Sequence, residues 1–309
     1  NDYRILKTLG RGGFGITYLA VDTKNRRKLA LKEYFPSDHA VRQHDGTVRS
    51  KTDDKKIFNF GLEAFITEAN LLKSLPREKG LVRVRGAFEK MGTAYCVMEY
   101  IEGDPLDRMI TRLVRAHGHV PEELIRDLLD PILNALRAIH EKKLIHRDIK
   151  PGNVMIRRSG DPVLIDFGAA KSYGKRLDGV VMYTKKYAPI EQFPEYGTLP
   201  LKGLTEGPWS DLYSLCVMLY EILNRCAPPD ALTRMKILHE TGKDPYVPLG
   251  TALAGEKYSS ELLDLIDSGC QLLPQNRPAS AMEIGAEYKR TFATNTRVLE
   301  TGFAEDPPK

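Results

Sequence analysis

The stretch Leu144-Ile145-His146-Arg147-Asp148-Ile149-Lys150-Pro151-Gly152-Asn153-Val154-Met155-Ile156 decides how the rest of this chain reads. Apolar residues flank a polar, glycine-containing run, the pattern of a tight turn entering a short strand. An ordinary loop has no need of His, Arg, Asp, Lys and Asn within eight residues. Phosphoryl transfer does need them: a carboxylate to orient a hydroxyl, an ammonium to meet phosphate charge, and an amide oxygen for magnesium.

The run fits His-Arg-Asp-x-x-x-x-Asn, and on this motif the chain resembles eukaryotic-type (Hanks-type) serine/threonine protein kinases. Thirteen residues after Asn153, Val163-Leu164-Ile165 leads into Asp166-Phe167-Gly168, which resembles the family's metal-binding Asp-Phe-Gly. An aspartate before glycine also makes an ordinary turn, but this spacing favours a site. The two hard oxygen donors Asn153 and Asp166 suit Mg²⁺ (Mn²⁺ being an alternative), which keeps waters and shares substrate phosphates. His146 is expected to pack, and Arg147 to meet a phosphate on the activation segment.

Upstream, Tyr3 to Leu9 and Ile16 to Val21 read as strands around Gly10-Arg11-Gly12-Gly13-Phe14-Gly15. Gly-x-Gly-x-x-Gly alone also fits a dinucleotide turn, which needs a helix next. Here Ile16-Thr17-Tyr18-Leu19-Ala20-Val21 is β-rich, so strand–loop–strand is favoured. That arrangement is similar to the kinase glycine-rich loop, with Thr17 where the family usually has Val. Leu29-Ala30-Leu31-Lys32 alone is an edge strand with a protective lysine. After a glycine loop it resembles Val-Ala-Ile-Lys, whose lysine meets the α- and β-phosphates. Phe58, Leu62, Phe65, Ile66, Ala69 and Leu72 repeat every three or four residues, predicting a helix. The resemblance selects Glu68 on that helix as partner of Lys32, leaving Glu63 as a solvated charge.

Residues 33–57 form a longer connection than expected, with Asp45-Gly46 as a turn signal for a small hairpin. A docking or regulatory role is the expectation for this insert. The wording Gly-Phe-Gly-Ile-Thr-Tyr with Lys-Glu-Tyr-Phe-Pro resembles a bacterial branch of the family. Tyr95 to Ile101 reads as a buried strand turning at Glu102-Gly103-Asp104-Pro105. By resemblance, Met98 is the gatekeeper, backbone groups of Glu99 and Ile101 read the adenine edge, and Ala30 and Met155 line the adenine site.

A strong apolar stripe from Leu124 to Ile139 predicts a core helix, which Pro131 is expected to kink or interrupt. The activation segment, Asp166 to Glu191, carries the hydroxyls Ser172, Tyr173, Tyr183 and Thr184 and ends in Pro189-Ile190-Glu191, a variant of Ala-Pro-Glu. Thr184 falls where the family's threonine bonds the catalytic aspartate and lysine, which makes it a poor acceptor for activating phosphorylation. Trp209 to Tyr220 is apolar on nearly every face and belongs at the centre of a lobe, with Ser210 expected to cap it. Asp211 matches the aspartate that bonds the catalytic-loop backbone. Arg277, in Pro274-Gln275-Asn276-Arg277-Pro278, is expected to pair with Glu191.

Composition agrees with a globular protein: 309 residues, 42% apolar and 28% charged, with 46 basic and 41 acidic residues giving +5. That balance argues neither for nor against a nucleic-acid partner, and no nucleic acid is expected among the partners. Cys96, Cys216, Cys226 and Cys270 lack metal or disulfide spacing and are expected to be buried thiols in a reducing, cytoplasmic setting. No apolar run is long enough for a membrane span. The resemblance covers about residues 3 to 292 and implies an α+β fold. A small antiparallel β lobe with one main helix (1–101) binds ATP, a larger mostly helical lobe (102–293) carries catalysis and substrate binding, and 294–309 is a tail or linker. Further domains of a longer protein are an open expectation. By the same resemblance, Gly10, Gly12, Gly13, Gly15, Thr17 and Lys32 hold ATP, Asp148 is the base, and Lys150 stabilises the transferring phosphoryl group. The acceptors are then Ser or Thr of proteins. A pseudokinase scaffold would usually lack Lys32, Asp148 or Asp166, and all are present; a small-molecule kinase on a related fold is the other alternative.

Overall fold

The computed structural model describes residues 3–13, 15–51, 54–167, 171–172, 184–193, 199, 203–256 and 258–292. Tyr173, Tyr183, Gly168 and the tail at 294–309 lie outside them. Contacts divide the chain into two compact units: residues up to 77 with 82–102, and 78–81 with 103 onward.

In the first unit, β-branched and aromatic residues alternate through strands that pair antiparallel. The strands are β1 (Tyr3–Gly12), β2 (Gly15–Asp22), β3 (Lys28–Tyr34), β6 (Val84–Lys90) and β7 (Thr93–Glu99), in sheet order β1-β2-β3-β7-β6. Register sorts the side chains, because residues opposite one another share a face. Thr17 is opposite Lys32, Lys32 opposite Cys96, and Ala30 opposite Met98. Lys32, Thr17, Ala30 and Met98 therefore occupy one face. The other face carries the cluster of Ala20, Leu29, Leu31 and Val97.

The 33–57 insert contains the expected hairpin, β4 (Ala40–Arg42) paired with β5 (Val48–Ser50), and Gly46 takes the left-handed turn conformation at φ 85°. Its apolar residues Ala40 and Val48 join Tyr34 and Phe58 in a buried cluster. Phe58 lies on α1 (Lys55–Lys73), whose buried positions Phe58, Ala69 and Leu72 fall on the predicted stripe. Glu63 is exposed and Glu68 half-buried.

The second unit is mostly helical. The helices α3 (Glu122–Glu141) and α4 (Pro208–Asn224) form its centre, following β8 (Gly103–Pro105) and α2 (Leu106–His117). α5 (Ala231–Thr241), α6 (Leu249–Ala252), α7 (Ser260–Gly269) and α8 (Ala281–Phe292) follow in the chain, with α7 and α8 against this centre. Between α3 and α4 in sequence come β9 (Leu144–Ile145), β10 (Val154–Arg157), β11 (Pro162–Leu164) and β12 (Lys171–Ser172).

Of the two outcomes expected at Pro131, interruption does not occur, since α3 runs through it as one element. An interior proline costs about 3 kcal/mol, but Leu128, Leu129, Ile132 and Leu133 are buried around it, and each such side chain contributes about 1.5–3 kcal/mol. Burial wins. Ser210 is not the N-cap of α4; Gly207 is, and Ser210 Oγ accepts from the Gly207 N–H at 3.1 Å from three residues inside the helix. Lastly, Cys226 is exposed just past the end of α4, whereas Cys96, Cys216 and Cys270 are buried free thiols.

Candidate active site

The turn Pro151–Asn153 is a single 3₁₀ turn entering β10, as the opening stretch predicts. It folds the chain back so that Asp148, Lys150 and Asn153 converge. Lys150 Nζ donates to Asp148 Oδ2 at 2.6 Å and to Thr184 Oγ1 at 2.9 Å. Thr184 Oγ1 in turn donates to Asp148 Oδ1 at 2.6 Å. Asn153 Nδ2 donates to the Asp148 carbonyl at 2.7 Å and to Oδ2 at 2.9 Å. With both its oxygens engaged, the Asp148 carboxylate has one orientation. Asn153, spending its amide hydrogens on Asp148, keeps its Oδ1 as an acceptor for a cation.

The Asn153 backbone extends the cluster to the second oxygen donor. Its carbonyl accepts from the Ile165 N–H at 2.8 Å, immediately before Asp166. Asp166 has φ 62°, a left-handed conformation uncommon outside glycine and enriched in aspartate. Two hard oxygens on adjoining backbone fit a Mg²⁺ ion that fills its other positions with water and phosphate oxygens. Among the described residues no group of three or more His, Cys, Asp or Glu gathers as a metal cage.

Two buried histidines and Asp211 hold this loop. Asp211, wholly buried in the first turn of α4, accepts from the His146 N–H at 2.8 Å, the Arg147 N–H at 2.9 Å and His140 Nε2 at 2.8 Å. Burial pushes the Asp211 carboxyl up, but the hydrogen bond and charge of His140 outweigh it and leave the group below its ordinary value. His146 packs, as expected: it is fully buried and its ring lies 4.5 Å from that of Phe167. Its Nε2 is 3.1 Å from the Ile165 carbonyl, and Nδ1 lies 3.4 Å from the Asp148 N–H. A neutral ring protonated on Nε2 satisfies both contacts, and burial holds the pKa of His146 down against the pull of Asp211, Asp148 and Asp166.

Arg147 departs from expectation. Its guanidinium, 5% exposed, is forked onto Glu206 at 2.7 and 3.4 Å. Glu206 carries no recognisable motif, and sequence reading missed it. Sequence reading also missed His140 and the pair Lys186–Glu221, which borders a cleft of about 670 Å³ beside Lys150, walled by Ile110, Val114, Tyr187 and Ile222. Arg277 does pair with Glu191 at 2.7 Å, both side chains fully buried, and Ser210 Oγ donates to the same carboxylate.

In the first unit, the close β2–β3 crossing explains Gly15: a side chain there would meet the Glu33 carbonyl at 2.3 Å. Gly10 and Gly12 face open space, and Gly13 accepts from the Ser37 N–H of the insert at 3.2 Å. Glu99 at the end of β7 donates its N–H to Arg83, and Ile101 is buried. Lys32 and Glu68 stand on β3 and α1, and Met155 on β10.

Comparison with known proteins agrees with this geometry. The protein kinase domain family model matches residues 3–288. Serine/threonine-protein kinase PknA of Nostoc sp. is 34% identical over 75% of this chain and 39% of its own length. Serine/threonine-protein kinases drp72 of Corynebacterium efficiens is 30% identical over 92% of this chain and 49% of its own. The chain thus spans less than half the length of these relatives. Among solved structures, one titled "PpkA-294 apo form" superposes with a TM-score of 0.76 at 31% identity, over 93% of this chain and 96% of that one.

Proposed function

The chain belongs to the protein kinase domain family, and from that premise we propose that it transfers the γ-phosphate of ATP to serine or threonine hydroxyls of proteins, with Mg²⁺ and with Asp148 as base. The observation that carries this reading is the closed set of hydrogen bonds joining Asp148, Lys150, Thr184 and Asn153.

Asp148 orients the acceptor hydroxyl and takes its proton late, as the oxygen attacks the γ-phosphorus and ADP leaves. Lys150 is held at the same carboxylate and is ready to turn its charge toward the transferring phosphoryl oxygens. Thr184 fixes the distance between those two side chains. Asn153 and Asp166 would hold the cation, whose charge neutralises phosphate oxygens when bound. Lys32 meets the α- and β-phosphates, oriented by Glu68; Gly10, Gly12 and Gly13 cover the phosphates with backbone amides. Gly15 serves the loop through packing. Thr17, Ala30, Met98 and Met155 line the adenine, with the Glu99 carbonyl and the Ile101 backbone reading its edge. Positioning and electrostatics carry the rate enhancement, because the protein forms no covalent bond. The cleft beside Lys150 receives the acceptor polypeptide. Serine/threonine preference is supported by Lys150 and by the names of the bacterial relatives. Buried free thiols at Cys96, Cys216 and Cys270 suit a cytoplasmic setting.

Incubation with radiolabelled ATP, Mg²⁺ and a basic protein acceptor tests the reading. Label on serine or threonine, abolished by Asp148→Ala and by Lys32→Ala, is the expected result. Nucleotide binding without transfer by the wild type would leave a scaffold in its place.

A further inference from the structure

A buried cation requires a counter-charge, and removing that charge from a buried pair is costly. Arg147 stands between His146 and Asp148 with φ 70°, a left-handed conformation in a residue that seldom adopts it. Its backbone N–H is fixed by Asp211 and its guanidinium by Glu206, whose side chain is only 13% exposed. Glu206 directly precedes Gly207, the N-cap of α4, and Asp211 lies in the first turn of that helix. One rigid helix start therefore grips the residue before the proposed base at both its backbone and its side chain.

We propose that Glu206 is a positioning residue for Asp148, supplying through Arg147 a permanent negative charge, so that the catalytic loop is set for turnover without a phosphate on the segment 166–191. This rests on the kinase reading given above. A phosphate brings a charge of about −1.5 to −2 and orders what surrounds it when it finds an unfilled arginine. Here the arginine fork already holds a carboxylate. A phosphate reaching Arg147 would either displace Glu206 or stand beside it as a second anion. The Thr184 hydroxyl offers no substitute route, since it uses its oxygen both to donate to Asp148 and to accept from Lys150.

The test compares phosphatase-treated wild type with Glu206→Gln, Glu206→Asp, Arg147→Gln and the double variant Glu206→Gln/Arg147→Gln. Mass spectrometry verifies the absence of phosphate, and melting is followed in parallel. Phosphate-free wild type is expected to keep its turnover within about twofold. Glu206→Gln should lower kcat about tenfold or more with the KM for ATP little changed, the pattern of lost transition-state positioning. Glu206→Asp, which keeps the charge, should recover most of that loss. The double variant should be no worse than the poorer single variant, because the two residues act as one unit.

Loss of turnover on phosphatase treatment overturns the proposal. So does a Glu206→Gln enzyme that melts early yet keeps its kcat, which would mark the pair as structural only. Should Glu206→Gln fail to fold, Arg147→Gln takes its place in the kinetic comparison, and a kcat equal to that of the wild type overturns the proposal. A wild type that shows no transfer in any state, with no difference from Asp148→Ala, removes the kinase reading itself.

Discussion

At the scale of single residues, the proposed chemistry is concentrated in one carboxylate whose two oxygens are both spoken for. Thr184 reaches Asp148 Oδ1 from 36 residues away and Lys150 Nζ from 34. Thr184→Ala removes the bridge and frees both side chains to wander. Misplacing reacting groups by about 1 Å can cost a hundredfold, so kcat is expected to fall about ten- to a hundredfold. Thr184→Ser, which restores the hydroxyl, should recover most of it; steady-state kinetics on the two variants checks this. Asp148, Lys150 and Asn153 were legible in the sequence because they sit within six residues of one another. The place of Thr184 was legible only by resemblance. Glu206 was not legible at all: a lone carboxylate 59 residues from Arg147 differs in nothing from a solvated surface charge until the fold brings the two together.

Among the elements, the hairpin β4–β5 gave the least warning of its role. Glu33, next to Lys32 on β3, is 1% exposed and accepts hydrogen bonds from Tyr18 at 2.8 Å, Tyr95 at 2.7 Å and Arg42 at 2.6 Å. Burial, with the Glu33 contact adding to it, raises the Tyr18 phenol to about 12, so it remains a donor at neutral pH. Arg42 belongs to the hairpin, and Ser37 at its entry bonds Gly13. The insert thus braces the glycine-rich loop, β3 and, through Tyr34 and Phe58, the start of α1. Arg42→Ala would leave the Glu33 charge with the two phenols alone. Unpaired buried charges cost about 3–5 kcal/mol, but Arg42 is 35% exposed, and solvent screening reduces this to about 1–2 kcal/mol. Adding Glu33→Gln to Arg42→Ala should recover part of the loss, since the unpaired charge is then gone. Urea unfolding of the single and double variants measures both effects. The turn signal at Asp45-Gly46 announced the hairpin; Arg42 as a tether to Glu33 could not be read, because that contact depends on where the hairpin lies.

For the whole molecule, buried titrating groups set how stability responds to acid. His146 is held below its ordinary 6.5 when folded; the unfolded chain takes up the proton first as pH falls, so stability drops below pH 6.5, by at most about 1.4 kcal/mol per pH unit. Asp211 is held below its ordinary 3.8; its contribution is full above that value and disappears as pH falls through the lower folded pKa. Both act in one direction, and the melting temperature should decline from pH 7 toward pH 5 through His146, then again below pH 4. His146→Phe, which retains the packing on Phe167, should flatten the first decline in a calorimetric pH series. The sequence by itself determined the strand and helix periodicities and the tight turn at 151–153, because each rests on residues close together in the chain. It misplaced the cap of α4, where Gly207 takes the N-cap position and Ser210 accepts from its N–H from inside the helix. Only the tertiary structure decided that His140 meets Asp211, and what meets Glu33 and Arg147. Each of these buried charges is satisfied by partners from distant elements, and the energy of such pairs depends on burial and distance, which no local spacing encodes.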